Sequence, residues 1–305
     1  MDEIPLITAR IAAIVGEQRG EALPLAGGIT NRNYRVTFGE HDCVVRVPGK
    51  DTDLLGIDRG AECEANKLAA ELGLAPPVVL MLDDPEVIVT RFVEARGMSE
   101  EDLRRPESID KTAAALRTVH DSGREIPATF DSFRIAETYM DTAADRGVAR
   151  PGYYDEALGH AHAIEAALTG PDHHPVPCHN DLLAANFLDE GDRLRIVDWE
   201  YAGMGDRYFD LGNFSVNNEL DDDAQDALLE AYFGEPPDAR RRATLRLMRF
   251  MSDFREAMWG VVQSGISELD FAFDDYAAKH FGRLRETAAD PRFETWLRDA
   301  DAAAA

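Results

Sequence analysis

The sequence predicts an α+β protein of two lobes, in which a small β-rich part precedes a larger helical part. Short apolar segments of strand length, separated by glycine, proline and aspartate, follow a first helix within residues 1–93. After Glu94 the apolar residues recur at helical spacing over long segments, with one hairpin pattern among them. We therefore predict an N-terminal lobe over residues 1–93 and a C-terminal lobe over residues 94–305.

The N-terminal lobe is predicted to begin with a helix. Isoleucines at helical spacing predict an amphipathic helix over residues 3–18. Residues 25–36 are expected to form a glycine-rich turn that runs into a strand. A second helix is expected over residues 59–72, and Gly73 is expected to end it. Further strands are predicted at residues 43–47, 78–82 and 87–93.

The C-terminal lobe is predicted to be helical, because long segments repeat apolar residues at a period near 3.6. The predicted helices cover residues 107–121, 131–146, 153–169, 221–233, 239–264 and 270–288. The only clear strands in this part are residues 187–188 and 194–199. The four residues Asp189–Asp192, rich in acidic residues and glycine, are expected to join these strands as a hairpin.

Composition and charge exclude several classes of protein. A formal net charge of −26 argues against nucleic-acid binding, which needs a basic surface. The longest apolar runs are too short to span a bilayer, so we expect no membrane insertion. The acidic start of the chain lacks the features of a signal peptide, and three cysteines at unrelated spacings give no disulfide framework. We expect a cytoplasmic protein, and the sequence does not determine its oligomeric state.

Residues 179–198 contain the groups that phosphoryl transfer from ATP requires. That reaction needs a carboxylate to deprotonate the attacking hydroxyl and oxygen ligands for Mg²⁺. Asp181 lies two residues after His179, and Asn186 lies five residues after Asp181, as in a kinase catalytic loop. Asp198 lies at the predicted end of a strand, where a second metal ligand is expected.

The residue types assign a role to each of these positions. We predict that Asp181 is the catalytic base, and that Asn186 and Asp198 hold Mg²⁺. His179 is expected to support the catalytic loop. Each polar residue alone could cap a turn between strands, but the full set at this spacing favours catalysis.

The chain resembles the choline/ethanolamine kinase family, within the wider group of aminoglycoside-phosphotransferase-like kinases. The blocks that carry the resemblance are residues 179–187 with 196–201, residues 209–213, and residues 259–263 with Tyr276. The last block is the most specific one, and the resemblance covers roughly residues 25–285. It implies a two-lobed protein-kinase-like fold and ATP- and Mg²⁺-dependent phosphorylation of a small amino alcohol of the choline or ethanolamine type.

The resemblance also implies a nucleotide-binding set in the N-terminal lobe. Gly28 and Asn31 match the turn that covers the phosphates, where glycine lets backbone N–H groups approach closely. Arg46 matches the phosphate-binding lysine of kinases, and an arginine there offers two donors. Glu62 is the expected helix partner of Arg46, with Glu64 as its competitor on a different helix face.

The segment that joins the lobes is expected to contact the adenine ring of ATP. Backbone groups of Arg91 and Val93 are predicted to meet the adenine edge, and Phe92 is expected to pack nearby. Such contacts use the main chain, so the side chains are weak evidence for them.

The resemblance implies an acceptor pocket on the C-terminal lobe. A quaternary ammonium is held by aromatic faces and nearby carboxylates, and Trp259 and Tyr276 match residues that line such a pocket. Glu200 is expected to add negative charge there or to fix the loop. Tyr201 is expected to line the pocket or to pack beside it.

Three positions depart from the choline kinase pattern. Glu256 stands where some choline kinases carry an additional tryptophan, Asn217 replaces a substrate-facing glutamate, and Leu183 replaces a glutamine. The negative charge of the pocket is therefore predicted to lie at Glu256. A primary ammonium such as that of ethanolamine should suit a carboxylate better than choline does.

Two alternatives stay open from the sequence. The first is another small-molecule kinase, directed at an aminoglycoside or a sugar. The second is a non-catalytic nucleotide-binding regulator, although the presence of Asp181, Asn186 and Asp198 speaks against it.

Overall fold

The computed structural model describes residues 3–25, 31–50, 52–83, 86–170 and 174–301. Strands dominate the N-terminal part of the described chain, and helices dominate the rest. The predicted α+β class is therefore confirmed.

The described N-terminal residues form an antiparallel sheet with a helix packed against it. The elements are α1 (Ile4–Val15), β1 (Gln18–Leu25), β2 (Asn31–Phe38), β3 (His41–Pro48), β4 (Val78–Asp83) and β5 (Glu86–Arg91). The strand order is β1-β2-β3-β5-β4. Every second residue of β3 is buried, from Cys43 through Val45 to Val47, because successive side chains of a strand point to opposite faces. Ile7 and Ile11 of α1 pack against this face.

Strand β1 was not predicted, because residues 3–18 were assigned to a helix and residues 19–24 to no element. The helix ends at Val15, and Gly16 follows with a φ of +136°. The strand lies at the edge of the sheet, and most of its residues are exposed or only half buried. It therefore lacks the alternation of apolar and polar residues that identifies a strand in sequence.

Helix α2 (Arg59–Glu71) lies between β3 and β4 in the chain and packs against residues of the helical part. The Asp58 side chain caps it by accepting the Ala61 N–H at 2.9 Å, and Gly73 follows with a φ of +76°. The prediction of this helix is confirmed within one residue. Ala65 packs in a core shared with C-terminal residues, so the lobe boundary after residue 93 stays a prediction.

The helical part of the described chain is built around one long helix. Its helices are α3 (Glu100–Leu103), α4 (Pro106–His120), α5 (Ile135–Asp145), α6 (Tyr154–Leu168), α7 (Arg207–Asn217), α8 (Asp222–Phe233), α9 (Ala239–Ile266), α10 (Phe273–Ala289) and α11 (Phe293–Ala300). The predicted helices are confirmed within a few residues at each end, whereas α3, α7 and α11 were missed. Helix α9 packs against α5, α7, α10 and α11. None of the described helices combines the length and the apolar character needed to cross a bilayer.

Short strands lie among the C-terminal helices. They are β6 (Arg96–Gly97), β7 (Val176–Cys178), β8 (Phe187–Asp189), β9 (Leu194–Ile196) and β10 (Gly203–Gly205). The predicted hairpin is β8 paired with β9, and β6 extends it at the edge. The prediction was wrong in ending the second strand at Trp199, because the strand ends at Ile196 and Asp198 has a φ of +68°. The prediction also missed β6, β7 and β10. These strands have only two or three residues, which is too few to show an alternation of apolar and polar residues.

Candidate active site

The predicted catalytic loop follows β7 and is held in place by Asp210 on α7. The carboxylate of Asp210 accepts the backbone N–H groups of His179 at 2.8 Å and Asn180 at 2.7 Å. His120 Nε2 lies 3.0 Å from the same carboxylate, and all of these groups are buried. Asn180 has a φ of +67°, a left-handed backbone conformation that is uncommon for residues other than glycine, although asparagine adopts it more often than most. Asp210 therefore fixes the backbone just before Asp181.

His179 supports the loop through both of its ring nitrogens. The Nδ1 atom accepts the N–H of Asp181 at 3.2 Å, and the Nε2 atom lies 3.0 Å from the carbonyl oxygen of Val197. A neutral ring protonated at Nε2 satisfies both contacts. Burial lowers the pKa of His179, which favours that neutral form. The ring also packs edge-on against Trp199, so the geometry agrees with a supporting role.

Asn186 and Asp198 lie on adjoining segments that the backbone ties to Asp181. The side-chain nitrogen of Asn186 donates to the carbonyl of Asp181 at 2.8 Å and to its carboxylate at 3.2 Å. The N–H of Val197, next to Asp198, donates to the carbonyl of Asn186 at 2.9 Å. The structure thus brings the predicted base and both predicted metal ligands to one place.

The donor set at this place fits a hard divalent cation. The Asn186 amide uses its nitrogen to bind Asp181, which leaves the amide oxygen as its atom for a cation. Asp198 adds a carboxylate, and this carboxylate already pairs with a cation, the guanidinium of Arg46. Carboxylate and amide oxygens are the ligands that Mg²⁺ accepts in proteins.

Arg46 lies mid-strand in β3 and joins three carboxylates. Its Nε atom is 3.0 Å from Glu62, and its Nη2 atom pairs with Asp198 and lies 3.3 Å from Glu200. Burial alone would lower the pKa of Arg46, but the carboxylates of Asp198 and Glu62 outweigh that effect and raise it. The arginine therefore stays charged.

Glu62, rather than Glu64, is the helix partner of Arg46. Glu62 is 1% exposed, whereas Glu64 is exposed and binds Lys67 at 2.8 Å. Sequence reasoning missed a second arginine, Arg59, whose Nη1 atom lies 2.5 Å from Glu62 and 3.2 Å from Glu200. The signal was its position one helical turn before Glu62 on the same face.

The remaining predicted nucleotide contacts have mixed outcomes. Gly28 lies outside the described residues, while the side-chain nitrogen of Asn31 donates to Glu200 at 2.8 Å. The N–H of Arg91 donates to the carbonyl of Pro77 at 2.9 Å. Because this N–H is occupied, only the carbonyl oxygen of Arg91 remains for the predicted adenine contact. The contact of Val93 stays a prediction.

Phe92, which was predicted to pack near the adenine, is contacted by an arginine of the protein itself. The guanidinium of Arg35 lies 3.8 Å from the centre of the Phe92 ring. The same arginine pairs with Asp42 and Glu94, so these charges hold it over the ring. One face of Phe92 is therefore covered by the protein itself.

The predicted acceptor residues come together where α9 and α10 meet. The indole N–H of Trp259 donates to the Tyr201 hydroxyl at 2.9 Å, and the Tyr276 hydroxyl donates to Glu256 at 2.7 Å. The rings of Trp259 and Tyr276 pack edge to face, with centres 5.5 Å apart. Glu200 lies instead with Arg46 and Arg59 on the nucleotide side.

Arg255 completes this cluster and was missed by sequence reasoning. Its Nη1 atom donates to Glu256 at 2.6 Å and lies 3.5 Å from a carboxylate oxygen of Asp181. Its guanidinium also lies 4.2 Å from the centre of the Tyr201 ring. The side chain is 2% exposed. The signal in the sequence was an adjacent arginine and glutamate within a mainly apolar stretch of α9, since such charges are buried only when paired.

The surroundings of Asp181 change its acidity. Burial raises the pKa of Asp181 to about 8. The guanidinium of Arg255 opposes this rise, while Glu256 and Asp198 add to it. In its ionised form, a carboxylate of raised pKa is a stronger proton acceptor than an ordinary aspartate.

These features define a phosphotransferase of the two-lobed, kinase-like class. The Asp181 carboxylate, the Asn186 amide and the Asp198 carboxylate lie near an arginine–glutamate pair carried by the sheet and α2. Residues 21–245 match the model of the family described as the phosphotransferase enzyme family. The chain therefore belongs to the phosphotransferase enzyme family.

Known relatives and structures agree with this class. The protein LicA of Haemophilus influenzae is 27% identical over 267 residues, which cover 83% of this chain and 76% of the relative. Ethanolamine kinase 2 of Rattus norvegicus is 27% identical over 287 residues, covering 84% and 73%. A solved choline/ethanolamine kinase family protein from Mesorhizobium loti is 31% identical, with a TM-score of 0.82 over 97% of this chain and 98% of that one.

The comparisons confirm three predictions: the resemblance to choline/ethanolamine kinases, the protein-kinase-like fold, and the assignment as a small-molecule kinase. A solved spectinomycin phosphotransferase, at 13% identity and a TM-score of 0.59, shares the fold alone.

Proposed function

We propose that this kinase transfers the γ-phosphate of ATP to the hydroxyl of a small amino alcohol, with Asp181 as the base. The observation that carries the proposal is the position of Asp181. It contacts Asn186 on the nucleotide side at 3.2 Å and Arg255 of the acceptor cluster at 3.5 Å. A hydroxyl that reaches Asp181 therefore lies between the two sets of residues.

The proposed step needs one proton acceptor. The acceptor oxygen forms a bond to the γ-phosphorus, and the bond from that phosphorus to the bridging oxygen of ADP breaks. The hydroxyl proton passes to the Asp181 carboxylate, and ADP leaves with the electron pair of the broken bond. Loop contacts through Asn186 and His179 keep the base in position during this exchange.

Asn186 and Asp198 are the residues that would hold Mg²⁺, which when bound neutralises phosphate charge. Arg46 would face the phosphates, because Glu62 holds its guanidinium beside Asp198. Arg59 also pairs with Glu62 and Glu200, so these two carboxylates do not depend on Arg46 alone. Arg46 would therefore be able to give up its contact with Asp198 and bind phosphate.

The acceptor class is supported by the relatives, whose names specify choline kinase and ethanolamine kinase. In this chain Tyr201, Trp259 and Tyr276 form an aromatic cluster that Arg255 joins to Asp181, and aromatic residues are typical of sites that hold an amine. We also propose a cytoplasmic location, and the three cysteines are free thiols.

The proposal is tested by replacing the base. Asp181→Asn keeps the shape of the side chain but removes its ability to take a proton. We expect turnover of amino alcohols to fall by about 10²–10⁴-fold, the usual contribution of a general base, while ATP affinity stays near that of the wild type. The measurements are acceptor-dependent ADP formation, mass spectrometry of the phosphorylated product, and nucleotide binding by calorimetry.

Asp192→Asn provides a matched control, because Asp192 is exposed in the turn between β8 and β9. This variant should behave as the wild type does. Full turnover by the Asp181→Asn protein would contradict the assignment of the base. ATP consumption that no hydroxyl acceptor increases would contradict the proposed function.

A further inference from the structure

The position that a substrate cation would take at the acceptor cluster is already filled by the guanidinium of Arg255. It lies over the Tyr201 ring at 4.2 Å and donates to Glu256 at 2.6 Å. The other carboxylate oxygen of Glu256 accepts the Tyr276 hydroxyl at 2.7 Å. The aromatic face and the carboxylate that would attract an ammonium are therefore in use within the protein.

A quaternary ammonium suits this arrangement poorly. It donates no hydrogen bonds, so it depends on aromatic faces and on carboxylates that lack a closer cation. Here Arg255 covers a face of Tyr201 and neutralises Glu256. The indole N–H of Trp259 is likewise bonded to Tyr201, and its ring packs against Phe273 and Tyr276.

We call the Nε and Nη2 side of the Arg255 guanidinium its unused edge, because both atoms are buried and neither makes a hydrogen bond of good geometry with any described residue. The neighbouring Tyr139 hydroxyl donates to the carbonyl of Leu55 at 3.2 Å, and its oxygen also interacts with the Arg255 guanidinium. Two parallel donors on one edge of a guanidinium match the two oxygens of a carboxylate. A buried donor without an acceptor is unfavourable, and a ligand carboxylate would remove that penalty.

We propose that Arg255 and Glu256 form a receptor for a zwitterion, so that the preferred acceptor is a hydroxy-amino acid. The ligand carboxylate pairs with the unused edge of Arg255, and the ligand ammonium shares Glu256 with Tyr276. Because Arg255 also reaches Asp181 at 3.5 Å, the hydroxyl of a short-chain hydroxy-amino acid lies within reach of the base. This inference rests on the proposed function and narrows its acceptor from amino alcohols in general to those that also carry a carboxylate.

The wild-type protein tests the inference through three kinds of acceptor. Ethanolamine is the reference, L-serine and L-homoserine add a carboxylate, and choline adds three N-methyl groups. We expect kcat/KM for the better hydroxy-amino acid to exceed that for ethanolamine by about ten- to a hundredfold, the value of hydrogen bonds to a charged group. Choline should be the poorest acceptor. Phosphorylated products are identified by mass spectrometry.

Two variants separate recognition from folding. Arg255→Lys keeps a cation beside Glu256 but lacks the two-donor edge, so it should lose the preference for the hydroxy-amino acid, measured as the ratio of its kcat/KM to that of ethanolamine. Arg255→Met should lose the same preference and improve choline relative to ethanolamine by about tenfold, since a Tyr201 face becomes free. Arg240→Met, an exposed position on the same helix, is the control and should change neither ratio.

The contrary outcomes are distinct. Wild-type preference for ethanolamine or choline over both hydroxy-amino acids would overturn the inference and leave the proposed function intact. An equal loss for all acceptors in a folded Arg255→Lys protein would also overturn it, because Arg255 would then only position Asp181. Turnover of no acceptor by the wild type would overturn the proposed function and the inference together. If neither variant folds, the wild-type order of acceptors decides alone.

Discussion

The two ends of the active site are both buried networks of arginines and carboxylates, but they are built differently. The set that we call the nucleotide end consists of Arg46, Arg59, Glu62, Asp198 and Glu200. The set that we call the acceptor end consists of Tyr201, Arg255, Glu256, Trp259 and Tyr276. At the nucleotide end, most pairs join residues far apart in the chain, such as Arg46 with Asp198, and only Arg59 and Glu62 are close in sequence. At the acceptor end, most of the charged and aromatic groups lie on α9 and the next helix.

This difference in construction predicts a difference in behaviour. The nucleotide end depends on how the sheet and α2 lie against the catalytic loop, so a lost charge there should affect every acceptor alike. The acceptor end depends on the packing of one long helix, so a change there should alter which acceptor is used. Comparing several acceptors in each variant therefore distinguishes the two ends.

The largest expected effect is at Asp198, which belongs to the nucleotide end. Asp198→Ala removes a proposed Mg²⁺ ligand and a partner of Arg46. We expect turnover to fall by about a thousandfold or more, equally for all acceptors, because metal binding stabilises the transition state by several kcal/mol. Chelation of Mg²⁺ should abolish wild-type activity, and added Mg²⁺ should restore it. An acceptor-dependent loss in this variant would contradict the division between the two ends.

A smaller effect is expected at α2, where the chain offers a matched pair of glutamates. Glu62→Gln leaves Arg46 and Arg59 buried with less compensating charge, so we expect kcat/KM for ATP to fall on the order of a hundredfold. Glu64→Gln changes an exposed residue that binds only Lys67 among described residues, and should stay within about twofold of the wild type. Equal losses in the two variants would contradict Glu62 as the functional partner.

The same contrast explains how much the sequence could predict. The loop residues His179, Asp181 and Asn186 lie within one short segment with a known spacing, so their proximity followed from sequence alone. The pairing of Arg46 with Glu62 required a resemblance, because strand and helix register are not visible in composition. Arg59 and Arg255 were missed because neither belongs to a motif, and only the fold shows which carboxylates surround them.

The fold shows a similar limit. Long amphipathic helices were predicted correctly because burial of one face imposes a period on many residues. Strand β1 and helix α7 were missed for opposite reasons. The strand is an exposed edge with little apolar alternation, whereas α7 is buried along most of its length, including its polar residues Asp210, Asn213 and Asn217, so it lacks the solvent-exposed face of a surface helix. Asp210 was therefore not recognised as the residue that holds the loop, although it lies in a block that carried the resemblance.

The smallest expected effects come from two glycines, and they probe how the acceptor end is attached to the loop. Gly212 lies where α7, which carries Asp210, crosses α9, which carries Arg255. A Cβ atom at Gly212 would lie 2.8 Å from the carbonyl carbon of Met248, too close for backbone that cannot yield easily. Gly212→Ala should therefore destabilise the protein by about 1–3 kcal/mol.

The contrasting position is Gly282 in the interior of α10, where a Cβ atom would meet no described atom within 4 Å. Gly282→Ala should leave stability unchanged or raise it by about 0.5–1 kcal/mol, because alanine favours the helix. Thermal unfolding measures both effects. Because the Gly212→Ala substitution displaces α9 relative to the catalytic loop, folded protein should also show weakened acceptor binding with unchanged ATP affinity. Loss of ATP affinity instead would mean that the nucleotide end, too, depends on the contact between α7 and α9.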